Sequence, residues 1–279
     1  MTDVDCVELL QWALPRLALR WPGFRRVRGQ VCKRMARRMA ELDLSTVAEY
    51  RARLESDPTE WKALEACCRI TISRFYRDRA LFDHLRKNLL PELATLATQT
   101  RQTALRAWSA GCASGEEPYT LSIAWALDVA PRFPTLRLQI VATDVSEEVL
   151  ARAHAGRYGR SVLGDLPEGW LERAFTADDG TWSVRPLVRT AVIFRREDIR
   201  ERMPEEPFHL ILCRNLIFTY FAIPLQQQLL ARIAKLLVPG GALVIGAHET
   251  LPAQSAGFLR AAERLPIYRL PITAAAAAV

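Results

Sequence analysis

The stretch 108–120, WSAGCASGEEPYT, constrains the fold more than any other part of the chain. A short apolar run at 104–108 precedes it, with the pattern of a buried strand. Gly111 and Gly115 follow with only small residues between them, then the acidic pair Glu116-Glu117, then a helix-like apolar run at 119–130. Strand, small-residue loop and helix form the opening unit of a doubly wound α/β domain, and ligands of such folds sit at that loop. Most such loops hold a phosphate on backbone N–H groups at a helix N-terminus. Here two carboxylates crown the loop, so a phosphate is repelled and a cationic, hydroxyl-rich ligand is favoured.

The next unit points the same way. The run 136–142, LRLQIVA, reads as a second strand ending in Thr143-Asp144, with a helix-like run from Glu147. An acid at the tip of the second strand is where this fold hydrogen-bonds an adenosine ribose. Asp144 can accept from both ribose hydroxyls, each such bond being worth roughly 1.5–3 kcal/mol. The alternative is a cap for the following helix, a job for which Ser146 is better placed. S-adenosylmethionine, with its sulfonium, ammonium and ribose hydroxyls, fits both features.

Residues 4–98 read as helices without a strand, and from Ala104 strands and helices alternate, which argues a mostly parallel sheet. The expected division is a helical N-terminal domain with linker at 1–85, an α/β domain at 86–273 and a frayed tail at 274–279. Within the second domain, 160–190 breaks the rhythm. Asp178-Asp179-Gly180 between short strand-like pieces signals a hairpin, hence a small antiparallel β insertion. The main sheet resumes at 192–194, 208–213 (FHLILC) and 242–246. Ser45 is expected to cap one N-terminal helix, and Pro58 sits where another begins.

Net charge is +7, and the excess is local: residues 16–38 hold nine Lys or Arg and no acid. Along 31–44, Val31, Met35, Met39 and Leu42 share one helical face, with Lys33, Arg34, Arg37 and Arg38 largely on the others. Such a patch answers an acidic protein surface, nucleic acid or anionic lipid. No stacking aromatic series or recognised binding motif accompanies it, so no nucleic acid is expected. The six cysteines have neither a C-x-x-C pair nor zinc-ligand spacing, so no metal is expected and reduced cytosolic thiols are the simplest reading. Asp3, Asp5 and Glu8 replace a basic leader, and no apolar run is long enough to insert in a membrane. The expected location is the cytoplasm.

Four segments in order resemble the CheR family, the methyltransferases that esterify glutamates on bacterial chemoreceptors. They are ITISRFYRD at 70–78, the glycine loop at 108–120, ATDVSEEVLARAHAGRY at 142–158 and FHLILCRN at 208–215. The resemblance spans roughly 26–270. It implies a class I methyltransferase fold with a helical N-terminal domain and an inserted β subdomain, using S-adenosylmethionine and releasing S-adenosylhomocysteine. It further implies acceptor glutamates on the cytoplasmic helices of chemoreceptors or receptor-like proteins. Another protein, a small carboxylate, or a non-catalytic cofactor-binding role are the alternatives.

By position, the resemblance puts the cofactor against the Gly111 loop, Glu117 and Asp144, with Thr71 and Ser73 touching it from the linker. Asp198 and Ile199 flank the adenine, in place of the family's Asn-Leu, and Arg214 and Asn215 line the cleft. Arg77 points at the transfer centre and positions the acceptor carboxylate, and Tyr220 donates a hydrogen bond nearby. Lys33, Arg34, Arg37 and Arg38 are the implied docking residues. Two motifs depart from the family: CRNLIFTYF has one residue more before Tyr220, and Gly246-Ala247-His248-Glu249 replaces Gly-His-Ser-Glu. His248 is read equally as a packed loop histidine or a cleft residue. The insertion hairpin lacks a Gly-x-Gly loop, so docking to a receptor C-terminal tail is not expected.

Overall fold

In the computed structural model, which describes residues 2–253 and 256–271, the apolar runs form the expected strands. The tail at 274–279 lies outside the described residues. The strands are β1 (Ala104–Ala110), β2 (Arg137–Asp144), β3 (Arg157–Gly159), β4 (Phe175–Asp178), β5 (Thr181–Val184), β6 (Val192–Arg196), β7 (Phe208–Cys213), β8 (Leu237–Ile245), β9 (Leu259–Arg260) and β10 (Ile267–Arg269). Seven of them make one sheet in the order β6-β2-β1-β7-β8-β10-β9. The pairs β6–β2, β2–β1, β1–β7 and β7–β8 are parallel, and β10 runs antiparallel to both its neighbours. Every residue of β7 is buried, as a strand covered on both faces requires. The chain winds outward through β1, β2 and β6, then returns to lay β7 on the other side of β1. Such a reversal opens a crevice at the carboxyl ends of the strands.

The insertion is a separate three-stranded sheet, β3-β5-β4, all antiparallel. Asp179 and Gly180 take φ of 40° and 73°, the left-handed pair that a two-residue hairpin turn demands. The 119–130 run is an α-helix from Glu116 to Ala124, continued as a wider turn over Trp125–Val129. The β9–β10 hairpin at the sheet edge has no counterpart in the sequence expectations.

The chain separates into two compact units. One comprises Met1–Ile70 and Ile217–Gln226, the other Thr71–Leu216 and the chain from Gln227 on. The first is helical: Asp3–Ala13, Arg28–Glu41, Val47–Ser56 and Glu60–Cys67 supply its longer helices. Val31, Met35 and Met39 are buried, as their spacing predicts. The Ile217–Gln226 stretch completes this unit. Residues 18–20 run beside 220–222, with Arg20 N donating to Tyr220 O and Ala222 N to Ala18 O, both at 2.8 Å.

Two expectations are corrected here. Thr46, not Ser45, caps the Val47–Ser56 helix, because only Thr46 has a glutamate three residues on to complete a reciprocal capping box. The reading of all six thiols as reduced fails at Cys6 and Cys32, which are joined in a disulfide. Spacing rules could not find this pair. It bridges two packed helices that bring the Cα atoms to 5.8 Å across 26 residues of sequence. Cys67, Cys68, Cys112 and Cys213 are outside any disulfide, and burial pushes the Cys112 thiol well up, which makes it inert.

Candidate functional site

Four adjacent parallel strands, β6, β2, β1 and β7, end at one edge of the sheet. Asp198 follows the first, Asp144 ends the second, the glycine loop follows the third, and Arg214-Asn215 follow the fourth. The sequence-predicted residues of the α/β unit are therefore brought together by topology. Gly111 and Gly115 have φ of 73° and 92°. A Cβ at Gly115 would also come within 3.0 Å of both Ala153 and the Tyr158 hydroxyl, so this turn needs glycine for conformation and for space.

Asp144 is pinned from two sides. Its Oδ2 accepts from Ala113 N in the glycine loop at 3.0 Å, and its Oδ1 accepts from Ser146 N at 2.9 Å. Ser146 occupies the cap position of the following helix, without a side-chain cap bond.

The acidic pair divides its work. Glu116 is 2% exposed. Burial pushes its carboxyl up, against hydrogen bonds from its own N–H and the Ser73 and Ser114 hydroxyls. Glu117 is more open. Its Oε1 accepts from Ser109 Oγ at 2.7 Å and its Oε2 from Arg214 Nη1 at 2.8 Å. Arg214 also donates through Nη2 to Asp78 and to the Arg77 carbonyl. One guanidinium between two carboxylates leaves this cluster with a residual negative charge. That charge, with Asp144 beyond the loop, suits the ammonium, sulfonium and ribose hydroxyls of S-adenosylmethionine and opposes a phosphate.

Arg77 sits at the crest of a turn between two left-handed residues, Tyr76 (φ 54°) and Asp78 (φ 66°). Such backbone costs roughly 1–3 kcal/mol per residue and persists only where its surroundings enforce it. Here Tyr76 N donates to Thr120 Oγ1 at 3.1 Å, and the Tyr76 ring is buried against Phe82 and Trp170. The Arg77 guanidinium makes one hydrogen bond, to the Ile72 carbonyl at 3.0 Å, and no ion pair among the described residues. The neighbouring acids Asp78 and Asp83 are paired with Arg214 and Arg86.

Asp198 is paired with Arg200 at 2.5 Å, and Ile199 beside it is buried. Thr71 and Ser73 are half-buried at the start of this unit. Asn215 is left-handed (φ 54°), and its N–H donates to Glu249 Oε2 at 2.9 Å. The same oxygen accepts from Gly246 N at 2.5 Å. Glu249 thus staples the ends of β7 and β8, a role that sequence reasoning missed, as it missed Ser109. An acid three residues past a strand-ending glycine was the available signal. His248 is exposed, which disagrees with the packed alternative.

In the helical unit the four basic residues expected to dock a partner are not alike. Arg38 holds the buried Glu60 through Nε and Nη2 at 2.9 and 2.7 Å, and Tyr50 donates to the same carboxylate. Arg34 donates to the Arg69 and Cys67 carbonyls. Lys33 and Arg37 are exposed, Arg37 lying 3.7 Å from Glu41. Tyr220 lies in this unit, its ring 5.0 Å from Phe24.

The doubly wound sheet, the glycine turn and the carboxylates at its strand ends define an S-adenosylmethionine-dependent methyltransferase. The model of the CheR methyltransferase SAM-binding domain matches residues 71–264, and that of the family's all-alpha domain matches 27–66. The chain belongs to the CheR family. It is 33% identical over 206 residues to a chemotaxis protein methyltransferase of Listeria monocytogenes, covering 74% of this chain and 75% of that one. Chemotaxis protein methyltransferase 1 of Pseudomonas aeruginosa is 37% identical over 182 residues, covering 63% and 65%. A 104.1 kDa protein of Rhodobacter capsulatus is 34% identical over 225 residues, which are 80% of this chain but 23% of that protein. Among solved structures, the N-methyltransferase NodS of Bradyrhizobium japonicum overlaps loosely, with a TM-score of 0.38 at 15% identity over 71% of this chain and 99% of that one. No helix among the described residues is long and apolar enough to cross a membrane.

Proposed function

We propose that the protein transfers a methyl group from S-adenosylmethionine to glutamate side chains of chemoreceptors or receptor-like signalling proteins in the cytoplasm, giving glutamate methyl esters. The observation that carries this reading is Arg77: a guanidinium without an ion pair among the described residues, on an enforced turn, one bridging arginine away from Glu117. A carboxylate acceptor is ionised at neutral pH and needs a cation to place it rather than a base to activate it. The names of the Listeria and Pseudomonas relatives support a chemotaxis setting.

When bound, S-adenosylmethionine supplies a methyl carbon made electrophilic by its sulfonium. Glu117 holds the ammonium, Asp144 the ribose hydroxyls, and Asp198 with Ile199 the adenine, while Thr71, Ser73, the Gly111 loop, Arg214 and Asn215 line the remainder. Arg77 orients the acceptor carboxylate in line with the methyl, and such alignment supplies roughly 7–11 kcal/mol of the barrier reduction. A loose fork suffices, since a tight ion pair would blunt the nucleophile. Tyr220 is assigned a supporting hydrogen bond by its place in the sequence. Lys33 and Arg37 meet the acidic acceptor helices.

The test is transfer of label from methyl-labelled cofactor to receptor-containing membranes. Base treatment should release the label as methanol. Base-stable label would move the acceptor away from carboxylates. No transfer alongside intact cofactor binding would leave a binding module.

A further inference from the structure

Arg214 carries three partners at once. Nη1 donates to Glu117 Oε2 at 2.8 Å, while Nη2 donates to Asp78 and, at 3.1 Å, to the Arg77 carbonyl. The side chain is 3% exposed, and its guanidinium carbon lies 5.2 Å from the centre of the Phe82 ring. Its Nε has no hydrogen-bond partner among the described residues, so the two Nη groups and the aromatic face do the holding. The turn it grips is the strained one, with Tyr76 and Asp78 both left-handed around Arg77. Sequence position makes Arg214 a residue lining the cofactor cleft. Its geometry is that of a strut inside the protein.

We infer that Arg214 is a positioning residue that couples the two halves of the reaction centre. It ties the carboxylate that receives the methyl donor to the backbone of the arginine that receives the acceptor. A cationic ligand on Glu117 competes with Arg214 for that carboxylate. Asp78 is the second anchor on which the guanidinium can lean, so occupancy at Glu117 tightens the grip on the turn and orders Arg77. An unloaded enzyme then leaves Arg77 less well placed, and acceptor binding is favoured after the methyl donor. This inference rests on Glu117 being the ammonium anchor.

The experiment uses the full chain with S-adenosylhomocysteine as probe. Asp78→Asn and Asp78→Gly both tolerate left-handed backbone, and neither offers Arg214 a charged anchor. Glu117→Gln tests the anchor itself. Calorimetry gives the affinity of each, and amide exchange of residues 76–79 is followed with and without the probe. The parent should show at least tenfold slower exchange on binding. The Asp78 variants should bind the probe within about threefold of the parent yet lose most of that protection, and Arg77-dependent methyl transfer should fall about tenfold in kcat with little change in cofactor KM. Arg214→Lys, with one ammonium for two anchors, should lose both affinity and protection. Full protection in folded Asp78 variants, or none in the parent, would overturn the coupling. Unchanged affinity in Glu117→Gln would instead overturn the cofactor reading beneath it.

Discussion

Asp144→Ala is the sharpest probe of the cofactor site. In the folded protein this carboxylate is held by Ala113 N at 3.0 Å and Ser146 N at 2.9 Å, so its orientation is set before any ligand arrives. A ribose meets two prealigned acceptors. Each charge-assisted bond is worth roughly 1.5–3 kcal/mol, and alanine leaves water to solvate the ribose in its place. The net loss should be about 2–4 kcal/mol, or roughly 30- to 1,000-fold in Kd. The same change frees two backbone N–H groups in a half-buried loop, so some stability goes as well, and affinity must be measured on protein shown to be folded. Titration calorimetry with S-adenosylhomocysteine at a temperature well below the variant's Tm separates the two effects. Asp144→Asn sharpens the comparison. Its amide can accept through one oxygen only, and its NH2 must confront either Ala113 N or Ser146 N, so it too should bind weakly. A folded alanine variant with affinity within about threefold of the parent would remove Asp144 from the ribose site and leave it as a loop staple.

His209 is 1% exposed on β7, and its Nδ1 accepts from Arg106 N at 3.1 Å. Burial, with the Arg106 charge, pulls its pKa down to about 4. The unfolded chain therefore binds the proton first as pH falls, and stability is lost between about pH 6.5 and 4. That loss should reach about 2 kcal/mol by pH 5, at 1.36 kcal/mol per unit. Urea unfolding at pH 7 and 5 should show it in the parent, and a neutral asparagine at this position should remove most of it; an equal loss in both would refute the assignment. Reversing Lys33 and Arg37 to Glu should slow methylation of an acidic protein acceptor at low salt, less so at high salt, with unchanged cofactor affinity and Tm. Unchanged rates at low salt would make the face merely solvated. Arg38→Glu should behave differently, costing about 3 kcal/mol or more in unfolding experiments because it sets a second carboxylate against the buried Glu60.

Local patterns were legible. The glycine loop, the acid at the end of β2 and the Asp179-Gly180 turn are each specified by neighbours within a few residues, and all three formed where the sequence put them. What escaped depends on partners far along the chain. Arg34 and Arg38 share a helix with Lys33 and Arg37, but only packing reveals that Glu60 and the 67–69 carbonyls claim two of the four. The Cys6–Cys32 bond needs two helices to meet. Arg214 reads as a cleft residue because its motif ends a strand, while its anchor Asp78 is separated from it by most of the sheet-forming chain. The β9 and β10 strands are two and three residues long, too short for periodicity to register.

The helical unit is assembled from two stretches, and this fixes an order of events on the ribosome. Arg20 finds its acceptors on Phe218, Thr219 and Tyr220, and Gly23 lies against the Thr219 backbone so closely that a Cβ would reach 2.2 Å from its carbonyl oxygen. These partners are not available until Tyr220 has left the exit tunnel, by which time the whole of Thr71–Leu216 has been made. At roughly 5–20 residues per second, the first helices wait several seconds or more with that surface uncovered. The stretch up to Ile70 thus precedes its partner stretch by the whole intervening unit and is completed only after that unit has been made. A fragment ending at Ile70 would be an incomplete fold rather than a free-standing docking module.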